Sequence, residues 1–255
     1  MNIFKKRDLT NRIGFIDELR GALIVLTVIY HAVYLYFSMI STMAMPDWLT
    51  SLQPIVYVGA GLFILVSGVC CNFSHNNFIR GLICFGIAYA ITLITTYLWN
   101  GGNDTIVWGI LHLIGFSIIL YDLFRKLLAK TKAVWMIPIL AVIFVVTFRL
   151  KGGYVGIPYL WEYYFGSVSS EILFPLGLTA GNFFSADYYP LLPWFALFLI
   201  GTYVGRYLTP DKTPDFLKNT RVKPLAFLGR HTLIIYIVHV PVLIGIYKIV
   251  ELIIY

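Results

Sequence analysis

The sequence predicts an all-α protein, a polytopic transmembrane helix bundle of about seven spans. Three observations predict it. The 255 residues are 59% hydrophobic and only 12% charged, with a mean hydropathy of +0.82. A soluble domain carries roughly 45–50% apolar and about 25% charged residues, so this chain lacks the polar side chains to cover a water-facing surface. Apolar runs of about 20 residues recur along it, the length at which a helix crosses the hydrocarbon. The basic residues fall between those runs in an alternating pattern rather than in one patch.

Backbone polar groups in hydrocarbon must be satisfied within their own segment, so each run is expected as a helix. The stretch 1–14 is charged and is expected as a cytoplasmic basic N-terminus. Spans are expected near 15–38, 54–74, 78–98, 105–124, 133–150, 190–208 and 231–253, all in one integral-membrane domain over 1–255. No small-residue cleavage site follows the first run, which therefore reads as a retained helix rather than a signal peptide. The stretch 152–189 is the long extracytoplasmic loop. Its aromatic part, Tyr154 to Phe165, is expected at the membrane interface. The part 168–182 is too short for a span and is a candidate re-entrant or interfacial segment, which would bring the count to eight.

The positive-inside rule fixes an orientation. Of the 19 Lys and Arg residues, 16 fall in segments this scheme places in the cytoplasm, and only Arg149, Lys151 and Lys248 fall outside. The N-terminus is thus expected in the cytoplasm and the C-terminus outside, in a plasma (inner) membrane. The net charge of +7 becomes a topology signal, with membrane lipids rather than nucleic acid as the expected surroundings. Cys70, Cys71 and Cys84 have neither a disulfide framework nor a zinc spacing, so no metal is expected. Homo-oligomerisation is left open.

The first span carries a polar stripe: Asp17, Arg20, Thr27 and His31. At about 100° per residue, His31 lies three turns plus about 20° beyond Arg20, and about 16 Å further along the axis. Asp17 is three residues before Arg20, a pairing distance. Ionisable groups at this depth are expected to face the bundle interior or a wet cavity. Asp17 and Arg20 also fit an ion pair at the inner surface with Arg20 snorkelling, and His31 also fits a buried imidazole bonded to a neighbouring helix.

In the last span, Thr232, Tyr236 and His239 share a face, and Pro241 predicts a local kink beside His239. A His–Tyr packing contact is the plainer reading. Gly59, Gly61, Ser67 and Gly68 in the second span permit close helix approach. Ser67 has no base beside it in sequence, and His75 reads as a solvated turn residue. Trp108 and His112 share a face of the fourth span, as interfacial anchor and packing residue or as the lining of an outward cavity. Asp187 opens the sixth span, where a carboxylate suits the helix dipole; a substrate contact is the alternative.

Five stretches then resemble one family in order: IDELRGALIVLTVIYH, LFILVSGVCCNFS, IVWGILHLIG, DYYPLLPWFALFLIGTYVGRYL and FLGRHTLIIYIVHVPVL. The chain resembles the heparan-α-glucosaminide N-acetyltransferase catalytic domain in its short prokaryotic form, within the wider transmembrane acyltransferases that include acyltransferase-3. The Arg20–His31 spacing is similar to the arginine–histidine motif of the latter. The resemblance implies an acyl-CoA-dependent acyltransferase that moves an acetyl group from cytosolic acetyl-CoA to a carbohydrate or envelope acceptor. It implies His31 as main catalytic residue and Arg20 as part of the donor site. The animal enzymes' luminal domain has no counterpart here, so glucosaminide as acceptor does not carry over.

The residues fit such chemistry. Arg20, Arg80, Arg206 and Arg230 lie on the expected cytoplasmic side, where guanidinium groups suit the phosphates of coenzyme A. A neutral His31 takes the acceptor's proton as general base or carries the acetyl group as a nucleophile. Asp17 and His239 are further catalytic candidates; Tyr236, His112, Trp108 and Asp187 are candidate acceptor contacts. Two other classes compete. A proton-coupled transporter would use the same His, Arg and Asp as a relay, with the Pro175 segment as a broken helix; a non-catalytic membrane scaffold would tolerate replacement of Arg20 and His31.

Overall fold

The computed structural model describes residues 13–41, 43–99, 104–208 and 213–254; the basic segment expected at 1–14 lies almost wholly outside them. All seven expected runs are helical. They form α1 (Gly14–Met39), α3 (Gln53–Val69), α4 (Asn77–Tyr97), α5 (Ile110–Leu128), α6 (Ala133–Val146), α7 (Leu191–Gly205) and α10 (Thr232–Ile254). Three short helices join them: α2 (Asp47–Thr50), α8 (Asp215–Lys218) and α9 (Lys223–Arg230).

Five stretches are long and apolar enough to cross a membrane: Gly14–Met39, Asp47–Phe73, Asn77–Tyr97, Ala133–Gly152 and Thr232–Ile253. The other two expected spans are helices of a different kind. Asp122, Arg125 and Lys126 occupy the last turns of α5, and α7 has 15 residues. By length and composition, five of the seven expected spans among the described residues qualify as candidate crossings.

The chain forms two compact units, residues 13–63 with 213–254, and Ile64–Leu208; α3 contributes to both. In the first unit α1 packs along α9 and α10. Two glycines set the α1–α9 contact. A Cβ on Gly21 would collide with the carbonyl oxygen of Leu225, and one on Gly229 with that of Asp17. The two backbones touch, which only glycine permits. On the same unit, the Tyr247 hydroxyl of α10 donates to the Ala32 carbonyl of α1 at 2.6 Å. The helix α10 continues through Pro241, the position at which a kink is expected.

In the second unit α4 packs on α5, α6 on α7, and α5 on α7. Its core is fully buried Ile64, Leu113, Phe198 and Tyr203. Gly68 meets the Phe198 carbonyl, the close approach that its spacing suggested. Gly59, assigned the same role, has nothing within 4 Å of its would-be Cβ. The start of α5 falls later than the expected 105, because residues before it are used elsewhere: Ala186 N–H donates to Thr105 O and Tyr189 N–H to Trp108 O.

The all-α expectation needs one correction. The aromatic part of the long loop is an antiparallel hairpin, β1 (Tyr154–Ile157) and β2 (Trp161–Tyr164), paired Tyr154 to Tyr164 and Ile157 to Trp161. Leu160 N–H closes the turn onto Ile157 O at 3.1 Å. Pro158 sits at the second turn position and Tyr159 at the third with φ +64°, the backbone pattern of a type II turn. Arg149 binds Glu162 at 2.6 Å and covers the Tyr154 ring at 4.4 Å. The expected re-entrant segment at 168–182 is irregular apart from a 3-10 turn at Phe174–Leu176. Pro175 fixes that turn and Gly177, at φ +104°, ends it.

Candidate active site

The histidines of the two sequence stripes meet. His31 of α1 and His239 of α10 have ring centroids 5.0 Å apart and ring planes at 70°. Tyr30 flanks His31 edge-on at 5.6 Å, and Tyr236 flanks His239 at 5.4 Å. Four aromatic rings thus run in file across the α1–α10 seam.

Backbone bonds fix the protons on both imidazoles. His31 Nδ1 lies 2.8 Å from Thr27 O, and His239 Nδ1 lies 2.6 Å from Tyr236 O. A carbonyl oxygen only accepts, so each Nδ1 carries the hydrogen and each neutral ring keeps its lone pair on Nε2. His239 is buried, and its Nε2 has no hydrogen-bond partner. An unsatisfied buried acceptor is costly in a folded protein and calls for a reason, of which a catalytic role is one. Thr27, on the same stripe, is not available to a substrate as a donor: its hydroxyl donates back to Leu23 O at 2.9 Å.

His31 also lines a groove of about 290 Å³ with Tyr30 and apolar side chains from α1, α2 and the start of α3. Gln53 Nε2 donates to the Tyr30 hydroxyl at 3.0 Å. Asp17 and Arg20 occupy the first two turns of α1 beside α9. The ion pairs among the described residues do not include one between them, and Asp17 has other interactions. Arg230, exposed, ends α9 directly after Gly229. Since Gly229 touches the α1 backbone at Asp17 and Gly21, the chain positions of Arg20 and Arg230 adjoin one another.

The remaining predicted residues belong to the second unit, where each has a structural partner. Arg206 donates to Leu128 O at 3.0 Å and Thr131 O at 3.1 Å and covers the Tyr203 ring at 4.2 Å, closing the C-terminal end of α5. Arg80 reaches Cys71 Sγ at 3.1 Å and Cys70 O at 3.4 Å. His112 caps its own helix. Its Nδ1 accepts from Gly109 N–H at 3.1 Å, so its Nε2 carries the proton and donates to Thr92 Oγ1 at 3.1 Å. Trp108 stacks on it at 5.6 Å, with a buried indole N–H that has no partner.

Asp187 does not serve the helix it precedes. Its Oδ2 accepts from Ile110 N–H at 3.0 Å, the first residue of α5. Next to it the Tyr188 hydroxyl donates to Phe174 O at 2.7 Å, and burial pushes that hydroxyl's pKa up. The three cysteines are free thiols, and among the described residues no three metal-ligating side chains converge. Sequence reasoning overlooked α9, whose Gly229 and its contact with Gly21 fix the arginine end of α1. The small residues in LRG and LGR at 19–21 and 228–230 were the available signal.

A family model described as heparan-alpha-glucosaminide N-acetyltransferase, catalytic, matches residues 12–241, a stretch that includes both histidines. No curated protein and no solved structure matches the chain.

Proposed function

Since the chain belongs to the heparan-α-glucosaminide N-acetyltransferase catalytic family, we propose that it moves an acetyl group from cytosolic acetyl-CoA to a hydroxyl or amine of a carbohydrate or cell-envelope acceptor, with His31 handling the proton. Family and apolar helices make this an integral-membrane acetyltransferase.

The observation that supports His31 is its tautomer. With Nδ1–H held by Thr27 O, the Nε2 lone pair is the basic position, and it belongs to a ring fixed on a rigid helix. His31 Nε2 takes the proton of the acceptor N–H or O–H as that atom attacks the acetyl carbonyl carbon. The carbon–sulfur bond breaks, and His31 returns the proton to the departing thiolate, giving free CoA and the acetylated acceptor. In the two-step variant Nε2 itself bonds to the acetyl carbon and the thiolate leaves; the acceptor then attacks that carbon, the carbon–Nε2 bond breaks, and the acceptor's proton passes through the freed Nε2 to the thiolate. His239 stands one ring away and supplies a second Nε2 lone pair, which steadies the protonated form of His31.

Arg20 and Arg230 are the residues we assign to the donor's phosphates, because they adjoin at the α1–α9 contact in the unit that holds His31. Arg80 and Arg206 spend guanidinium N–H groups on a thiol and on carbonyls. In this reading α5 and α7 complete seven crossings of a plasma (inner) membrane, with the N-terminus in the cytoplasm and the C-terminus outside.

The test is CoA release and radiolabelled acetyl transfer by protein in lipid nanodiscs, comparing wild type with His31→Ala. Turnover in the wild type alone, with both proteins folded, is the expected result. Undiminished turnover in His31→Ala removes His31 from the chemistry.

A further inference from the structure

The groove beside His31 has a chemical character that bears on the acceptor. Its wall on α1 is Leu26, Ile29, Tyr30 and Val33, residues spaced along one helix face, and it is closed by Trp48, Leu52 and Val56. Nearly every lining group is hydrocarbon. Thr27, also in the wall, has its hydroxyl turned onto its own backbone. The polar groups left are the His31 ring, the Tyr30 hydroxyl and the Trp48 indole N–H. A soluble sugar needs several hydrogen-bond partners to leave water and would find few here; a hydrocarbon chain needs none.

The groove is also open sideways. Leu26 is 63% and Ile29 54% exposed on the wall of a helix apolar enough to span a membrane, and when α1 crosses the bilayer this open side meets lipid. It leads from His31 towards α2, at the end of α1 away from Arg20, and Trp48 there is 55% exposed, as suits an aromatic residue at a membrane interface. A ligand already dissolved in the bilayer reaches His31 through this opening without crossing water. The donor's arginines lie at the other end of α1.

We propose that this groove holds the hydrocarbon chain of a lipid-linked acceptor, so that the acylated sugar or head group is a membrane-resident molecule rather than a free saccharide. The proposal rests on the acetyltransferase reading. The chain lies along Leu26, Val33, Leu52 and Val56, and the Tyr30 hydroxyl, held by Gln53, meets the first polar atoms of the head group. The acceptor nucleophile is thereby presented to His31.

Two readouts on nanodisc-embedded protein test it separately from the chemistry. In the first, a decyl glycoside bearing a diazirine on its chain is photolysed with the protein and the labelled peptides are mapped. Labelling is expected on 26–33 and 48–56, suppressed by excess plain decyl glycoside but not by the methyl glycoside, and lost in Leu52→Trp or Val56→Phe. Labelling no stronger than on the lipid-facing 246–253 stretch overturns the proposal, as does suppression by decanoyl-CoA instead, which would make the groove a donor-chain site. In the second, acetyl transfer to decyl and methyl amino-glycosides is compared. Burial of several methylenes should lower KM for the chain-bearing acceptor by at least about tenfold. The groove-filling variants should erase that difference without changing CoA release to the methyl acceptor. Equal KM values with active protein overturn the chain site alone. Competed labelling with no CoA release from any donor instead overturns the acetyltransferase reading and leaves the groove standing.

Discussion

His31 and His239 stand with ring centroids 5.0 Å apart, each with its Nδ1 hydrogen bound to a backbone carbonyl of its own helix. Both Nε2 lone pairs are therefore oriented by bonds that no substrate has to make. Such orientation matters because proton transfer needs the acceptor atom within hydrogen-bond reach and correctly aimed. Replacing His239 with Gln keeps an acceptor oxygen but removes the imidazole. The expected outcome is a kcat lower by roughly ten- to a hundredfold, with KM for acetyl-CoA little changed and a shifted pH–rate profile. A purely structural role for His239 would instead lower thermal stability and leave the pH profile of the surviving activity where it was.

Arg206 offers a contrast between two roles for one guanidinium. Its N–H groups bind Leu128 O and Thr131 O, and its plane lies on Tyr203. Arg206→Lys loses the fork geometry and the stacking together. It should cost about 1.5–3 kcal/mol of stability, read as a lower unfolding midpoint in lipid nanodiscs, while KM for acetyl-CoA stays near wild type. Arg20→Lys or Arg230→Lys should do the reverse, raising KM with little effect on the midpoint. A raised KM in Arg206→Lys at unchanged stability would return this arginine to the donor site.

The stripes themselves were legible in the sequence, because helical periodicity places Arg20, Thr27 and His31 on one face without any tertiary information. Their meeting was not. It joins opposite ends of the chain, and periodicity says nothing about which helix packs on which. The same limit explains Asp187, which spacing assigned to the helix it precedes. The pairing of 185–189 with 104–108 carries its carboxylate to α5 instead. The hairpin escaped notice because its turn is closed by Pro158 and Tyr159 rather than by Asn-Gly. The tautomers of the histidines depend on carbonyl positions that only coordinates supply.

Asp187 then makes a sharp case for local stability. Its carboxylate accepts from the first N–H of α5, where negative charge also suits the helix dipole. Asp187→Ala should cost about 1 kcal/mol and speed amide hydrogen exchange over Ile110 to Leu113. Protection of those amides unchanged from wild type would show that the contact is not what holds the helix start.

The α1–α9 contact depends on the absence of two side chains. A Cβ at Gly21 or Gly229 would collide with a carbonyl oxygen of the facing helix, whereas one at Gly59 meets nothing within 4 Å. Gly21→Val and Gly229→Val should each destabilise by about 1–3 kcal/mol through overpacking and weaken acetyl-CoA binding, since Arg20 and Arg230 adjoin these glycines. Gly59→Ala is the matched control and should be silent in both assays. Tolerance of valine at both sites would mean that the helices are not in contact as described.

Membrane crossing by α5 and α7 is the point on which five and seven spans part. With the N-terminus in the cytoplasm, as proposed, and both helices crossing, the β1–β2 hairpin is outside and α8 is in the cytoplasm. With neither crossing, the hairpin and α8 are both in the cytoplasm, because two crossings vanish while α1, α3, α4 and α6 remain. Tyr159, fully exposed at the hairpin tip, and Lys218 at the end of α8 therefore read the topology. Single cysteines at these positions, in a background lacking Cys70, Cys71 and Cys84, are treated in intact cells with a membrane-impermeant maleimide. Labelling of Tyr159→Cys with protection of Lys218→Cys is expected, since the basic residues before α6 and after α7 favour the cytoplasmic side. Protection of both until the cells are opened would establish five crossings. Then α7 would lie on the cytoplasmic face and α5 on the outer one, and the hairpin's exposed Trp161 and Tyr163 would belong to the donor side of the membrane rather than the acceptor side.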